Sequence, residues 1–127
     1  MPSILVVDDD APAGDLVAAL LRHFGYRTSC ASSGDAALEQ LGDVALPDLV
    51  LLDMMMPGMN GIEVLQRIRN NERTADLPVV MYSALDDEEW RAKAQYAGAC
   101  DYWIKGQFDV GELEERVRER LPVSASI

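Results

Sequence analysis

Five short strand-like runs alternate with five stretches of helical periodicity, and no other feature limits the possible folds so strongly. The strand candidates are Ser3–Val7, Arg27–Ala31, Leu49–Leu52, Pro78–Tyr82 and Asp101–Ile104. Strands separated by helices pair in parallel, because parallel neighbours need a crossover and cannot be joined by a tight hairpin. Leu49-Val50-Leu51-Leu52 is wholly aliphatic and reads as a strand buried on both faces. Pro57, Gly58 and Asn60 then turn the chain back over the sheet. Asp53 stands between run and turn and is read as the last strand residue, where open parallel sheets meet their ligands.

The helices follow from periods of three and four. The first carries Leu16, Val17, Leu20, Leu21 and Phe24 on one stripe and stops at Gly25. The second follows Gly34, with Ala37, Leu38 and Leu41 inward. The third opens at Asn60, with Glu63 at capping-box spacing and Ile62, Leu65 and Ile68 on its face. The fourth starts near Asp86, with Glu89 at the same offset and a thin stripe of Trp90, Ala94 and Ala97. The fifth begins near Asp109 and carries Val110, Leu113, Val117 and Leu121.

The first, third and fourth strands are the most aliphatic, which places them centrally, whereas Arg27–Ala31 and Asp101–Ile104 are polar enough for edges. Right-handed crossovers then favour the order 2-1-3-4-5. The expected fold is a single doubly wound α/β domain over residues 1–122, with a short tail at 123–127. Travel across the sheet reverses between the first and third strands, and ligands bind at such switch points.

Charge narrows the function. Eleven basic against 22 acidic residues give a formal charge of −11. Such a surface disfavours direct nucleic-acid contact and anionic membranes. Met1-Pro2-Ser3 and the short run after it lack the features of a signal peptide, and no stretch approaches the roughly 20 apolar residues of a span. Cys30 and Cys100 have no metal-ligand spacing and read as small buried hydrophobes in a reducing cytoplasm.

The chemistry gathers at the strand ends. Asp8 and Asp9 follow the first strand, Asp53 the third, Ser83 the fourth and Lys105 the fifth. Taken singly, each has an ordinary reading: Asp8, Asp9 and Asp10 as helix caps, Asp53 as an Asx-turn residue, Ser83 as a turn residue, Lys105 as a surface charge. Together they put compatible groups from four strand ends on one rim. Three carboxylates repel one another unless a cation sits among them, and Mg2+ suits carboxylates, waters and a phosphate. Three carboxylates, one Mg2+ and one Lys+ sum formally to zero. A carboxylate can also accept a phosphoryl group covalently, and the charge gained would draw Lys105, Ser83 and N–H groups near Met55 and Ala84. His23 reads as a cation in the last turn of the first helix, and Met54–Met56 as packing.

Four segments carry a family resemblance over about residues 3–121. They are Ile4-Leu5-Val6-Val7-Asp8-Asp9-Asp10, Asp53-Met54-Met55-Met56-Pro57-Gly58-Met59-Asn60-Gly61, Val79-Val80-Met81-Tyr82-Ser83-Ala84 and Gly98-Ala99-Cys100-Asp101-Tyr102-Trp103-Ile104-Lys105. In this order and spacing they resemble a response-regulator receiver domain of two-component signalling, the CheY-like fold. The resemblance implies that Asp53 accepts a phosphoryl group from a phosphohistidine on a sensor histidine kinase or histidine phosphotransfer protein. It implies Mg2+ on Asp9, Asp53 and the Met55 backbone carbonyl, with Asp8 helping through water. Lys105 would pair with the phosphoryl oxygens, Ser83 would move toward them and Tyr102 would turn inward. A downstream protein would read the face of the fourth helix, fifth strand and fifth helix, with Trp90 and Trp103 on or near it.

One departure is plain. The family usually follows the lysine with a cis proline and an aromatic two positions after the lysine; here Gly106 and Gln107 follow, and Phe108 stands three positions on. A cis bond without proline costs about 3 kcal/mol, so a trans Lys105–Gly106 bond is predicted. Competing readings are a phosphorylation-independent adaptor of the same fold, an aspartyl phosphatase and a flavin carrier. The phosphatase typically needs an aspartate where Met55 stands. The flavin carrier needs a hydroxyl-rich phosphate loop where Asp8 and Asp9 stand.

Overall fold

A computed structural model describes residues 2–43 and 45–121. The tail expected at 123–127 lies outside them. The elements run β1 (Ser3–Val7), α1 (Ala11–His23), β2 (Arg27–Ala31), α2 (Gly34–Leu41), β3 (Leu49–Leu52), α3 (Gly61–Arg69), β4 (Val79–Ser83), α4 (Glu88–Ala97), β5 (Asp101–Ile104) and α5 (Val110–Arg120). The strands form one parallel sheet in the order β2-β1-β3-β4-β5. This is the doubly wound α/β architecture that the strand character predicts.

Strand alternation divides the core into two layers. Leu5, Val7, Val50, Leu52, Val79, Met81, Tyr102 and Ile104 pack against α2, α3 and α4. Ile4, Val6, Leu49, Leu51, Val80 and Trp103 face α1 and α5. Each helix starts from a polar cap: Asp10, Ser33, Asn60, Asp87 and Asp109 accept from backbone N–H groups of the first turns. Capping boxes form at Asn60–Glu63 and Asp109–Glu112. Gly25 ends the turn after α1 at φ +97°, and Gly98 caps α4 at φ +107°.

Several local expectations shift. β4 begins and ends one residue later than read, because Pro78 cannot donate to the ladder and Ser83 can continue it. Asp53 lies just beyond β3, although its N–H still bonds the Val7 carbonyl at 2.9 Å. α4 is capped by Asp87, not Asp86, because the Asp87 carboxylate reaches the Glu89 N–H at 2.9 Å. In α1 the buried stripe is Gly14, Val17, Ala18 and Leu21, while Leu16 and Phe24 are exposed. Small residues there let the helix lie close to the sheet: a Cβ on Gly14 would stand 3.3 Å from Asp8 Cβ. Trp103 is buried under α5 rather than displayed, and Cys100 is exposed while Cys30 is half-buried, both free. No described helix is long and apolar enough to cross a membrane.

Candidate functional site: an acidic rim at the strand ends

Backbone ladders carry the key side chains one residue past the strands. Asp8 N–H bonds the Ala31 carbonyl at 3.0 Å, Asp53 N–H the Val7 carbonyl at 2.9 Å and Lys105 N–H the Ser83 carbonyl at 2.9 Å. The sheet thus fixes three charged residues at one edge, where loops alone would leave them adrift. Carboxylate oxygens of Asp8, Asp9 and Asp53 all lie within 4.8 Å of one another. Asp8 and Asp53 are buried, at 5% and 7% exposure, while Asp9 is exposed.

Lys105 answers part of this charge. Its ammonium lies 2.6 Å from Asp8 Oδ2 and 3.3 Å from Asp53 Oδ2. Burial works to lower the Lys105 pKa, but the hydrogen bond to Asp8 and the charges of Asp53 and Asp8 outweigh it and raise the pKa. The Asp53 pKa is raised too, which disfavours its charged form. Burial raises its carboxyl above the usual range; Lys105 opposes this, Asp8 adds to it, and Ser83 opposes it further. Asp8 Oδ1 accepts the Asp10 N–H at 3.0 Å, and Asp53 Oδ1 the Met55 N–H at 3.4 Å. Hard carboxylate oxygens crowded at this spacing suit a divalent cation with oxygen preference, so the residues present fit Mg2+.

On the α4 side, Ser83 and Tyr102 meet through a third residue. Leu85 N–H donates to Ser83 Oγ at 3.2 Å, and the Leu85 carbonyl accepts the Tyr102 hydroxyl at 2.7 Å. Any shift of the Ser83 hydroxyl therefore acts on the same peptide segment that holds Tyr102. Burial raises the Tyr102 pKa, with Ser83 and Arg91 opposing, so the phenol stays a protonated donor.

Asp8, Asp9, Asp53, Met55, Ser83, Tyr102 and Lys105 lie together on this edge. His23 sits at the far end of α1, about 18 Å along the helix from its first turn. Leu85 escapes sequence reading because it works through backbone atoms, which any residue type supplies. Tyr82 escapes it as well. Its ring lies 5.6 Å from the Lys105 ammonium, a contact that no sequence spacing marks.

The model of the response regulator receiver domain matches residues 4–118. This chain belongs to that family. The receiver domain is 40% identical over 131 residues to RpaA of a Synechocystis strain, a DNA-binding dual master transcriptional regulator, covering 98% of this chain and 54% of RpaA. It spans about half the length of the curated relatives it matches. Among solved structures, Vibrio cholerae CheY4 superposes with TM-score 0.88 at 26% identity, covering 95% of this chain and 99% of CheY4. TrrA of Thermotoga maritima, in complex with Mg2+–BeF, gives 0.82 at 33% identity, covering 95% and 100%. The receiver domain is thus a module of two-component response regulators, as the four sequence segments imply. It departs from the family's usual pattern in the loop after Lys105: the peptides are trans among the described residues, and Gly106 adopts φ +82°.

Proposed function

We propose that this receiver, over residues 1–122, accepts a phosphoryl group on Asp53 from a phosphohistidine of a sensor histidine kinase or histidine phosphotransfer protein. The observation that carries the reading is the buried Asp53 carboxylate, flanked by Lys105 and by the Met55 N–H, at a rim shared with Asp8 and Asp9. The P–N bond of the donor breaks as an Asp53 Oδ–P bond forms, and the imidazole leaves. Asp8, Asp9, Asp53 and the Met55 carbonyl are the groups that would hold Mg2+, which supplies positive charge beside the phosphoryl oxygens when bound. TrrA, solved with Mg2+–BeF, supports that assignment by kinship. Lys105 orients and neutralises, Ser83 donates, and Tyr102 follows through Leu85.

Catalysis here is positioning and charge neutralisation, so the domain is a phosphoacceptor that assists its own phosphorylation and dephosphorylation, not a turnover enzyme on an external substrate. Phosphorylation would bias a two-state equilibrium of the α4-β5-α5 face, where a downstream protein docks. We place the domain in the cytoplasm, without membrane contact. The charge of −11 keeps this segment off nucleic acid, even though RpaA and MtrA are described as DNA-binding. Those proteins are about twice as long as the matched region.

Incubation with acetyl phosphate and Mg2+, followed by intact-mass and peptide analysis, tests the reading. An acid-stable, hydroxylamine-labile mass gain on Asp53 is expected. Its absence would leave the phosphorylation-independent adaptor.

A further inference from the structure

The stretch after Lys105 is not stiffened by packing on its glycine. Gly106 holds φ +82°, and nothing lies within 4 Å of where a Cβ would stand. A lysine side chain is also long and rotatable, yet phosphoryl acceptance demands an ammonium at one place. Something beyond the backbone must limit where that ammonium goes.

The candidate lies on the α1–α5 side of the sheet. Strand alternation sends Tyr82 to that layer, together with its register partner Trp103. Lys105 Nζ lies over the Tyr82 ring, 5.6 Å from its centroid. The ring is itself braced. Phe108 meets Tyr82 edge-on with centroids 5.9 Å apart, and meets Trp103 edge-on at 6.1 Å. The Arg116 guanidinium of α5 covers the Phe108 ring at 4.4 Å. Edge-to-face pairs of this kind favour one relative ring orientation. The one-residue longer loop thus delivers Phe108 to the place where it wedges Tyr82 beneath the lysine.

We infer that Tyr82, braced by Phe108, is a positioning residue for Lys105. Its ring face draws the cation from one side while Asp8 and Asp53 draw it from the other. This narrows the rotamers of the lysine where the glycine loop does not. The effect on phosphoryl transfer rests on the function proposed above; the placement of the ammonium does not. Simple core filling at position 82 would need an apolar side chain of similar bulk, whereas a cation platform needs an aromatic face.

Tyr82→Phe and Tyr82→Leu separate the two. Lys105 Hε resonances, assigned through Lys105→Arg, are read by NMR without phosphodonor. Acceptance from acetyl phosphate with Mg2+ is timed on the same samples. Tyr82→Phe should keep the wild-type resonances and a rate within about twofold, while Tyr82→Leu should move the resonances to those of exposed lysines and slow acceptance about fivefold. Unmoved Lys105 resonances in Tyr82→Leu overturn the inference, whether or not the protein accepts phosphate. Moved resonances with an unchanged rate overturn the positioning role. A wild type that accepts no phosphoryl group, beside resonances that move as expected, sinks the proposed function and upholds the placement. Should Tyr82→Leu fail to fold, Phe108→Leu removes only the brace and should shift the resonances partway; no shift there overturns the inference equally.

Discussion

Lys105 makes its shorter ion pair with Asp8 rather than with Asp53: 2.6 Å against 3.3 Å. The Asp53 carboxylate is thereby the less neutralised of the two buried acids. The lysine holds Asp8 more closely, and Asp53 keeps charge that burial penalises.

The first prediction concerns this imbalance. In chelator at neutral pH, Asp53→Asn should raise stability by about 1 kcal/mol, because it removes a buried charge whose neighbours include Asp8. Asp9→Ala is expected to act in the same direction but more weakly, since Asp9 is exposed. Paired urea titrations in chelator measure both. Destabilisation by Asp53→Asn would mean that Lys105 already neutralises the acceptor in full.

Metal should act through the same residues. At a hundredfold excess over its Kd, Mg2+ should stabilise the fold by about 2.7 kcal/mol, and Asp9→Asn or Asp53→Asn should erase most of that gain. Thermal melts with Mg2+ and with chelator are the measurement. An equal Mg2+ response in wild type and both variants would place the ion elsewhere.

Much of this arrangement was legible because parallel sheets bring their strand ends to one edge. Leu49–Leu52 and Ile4–Val7 could only be buried strands, so Asp53, Asp8 and Asp9 had to share a rim. Helix ends were legible where side chains make the cap, as at Asn60 and Asp109. At α4 two adjacent aspartates offered alternative caps, and only backbone geometry chose Asp87. Leu16 is inward by period, yet α1 turns Gly14, Val17, Ala18 and Leu21 to the sheet, where the two small residues allow close approach. The Leu85 bridge and the Tyr82–Phe108–Trp103 packing depend on backbone atoms and ring angles, which no spacing rule encodes.

Asp101 gives a pH dependence of definite sign. Burial works to raise its pKa, but hydrogen bonds from Trp103 Nε1 and Tyr102 N–H, and Arg120 beside it, bring it below the usual carboxylate value. A folded pKa below the unfolded value of about 3.9 stabilises the protein above that pH, and the gain is lost as pH falls through the folded value. Asp101→Ala should therefore cost about 1 kcal/mol near neutrality, discounted for a partly exposed carboxylate, and the gap to wild type should narrow below about pH 3.9. Urea unfolding across pH, followed by tryptophan fluorescence, checks it. A gap of constant size would assign the loss to packing alone.

Gly61 carries the last prediction, because α3 starts directly behind Asp53. A Cβ at Gly61 would stand 2.5 Å from the Asp53 carbonyl oxygen, 2.6 Å from Met81 Cε and 2.9 Å from Met54 Cα. The Met81 methyl can rotate away; the two backbone atoms cannot, since Gly61 N–H bonds the Met54 carbonyl at 2.9 Å and Asp53 N–H is tied to Val7. Gly61→Ala must then push α3 off the sheet or tilt the Asp53 peptide. The expected cost is about 2 kcal/mol of stability. Acceptance from acetyl phosphate should slow by more than the unfolded fraction explains, because a small displacement of the acceptor spoils its alignment. Rates corrected for folded protein, set beside those of an exposed-glycine control such as Gly111→Ala, decide whether α3 aims Asp53 or merely adjoins it.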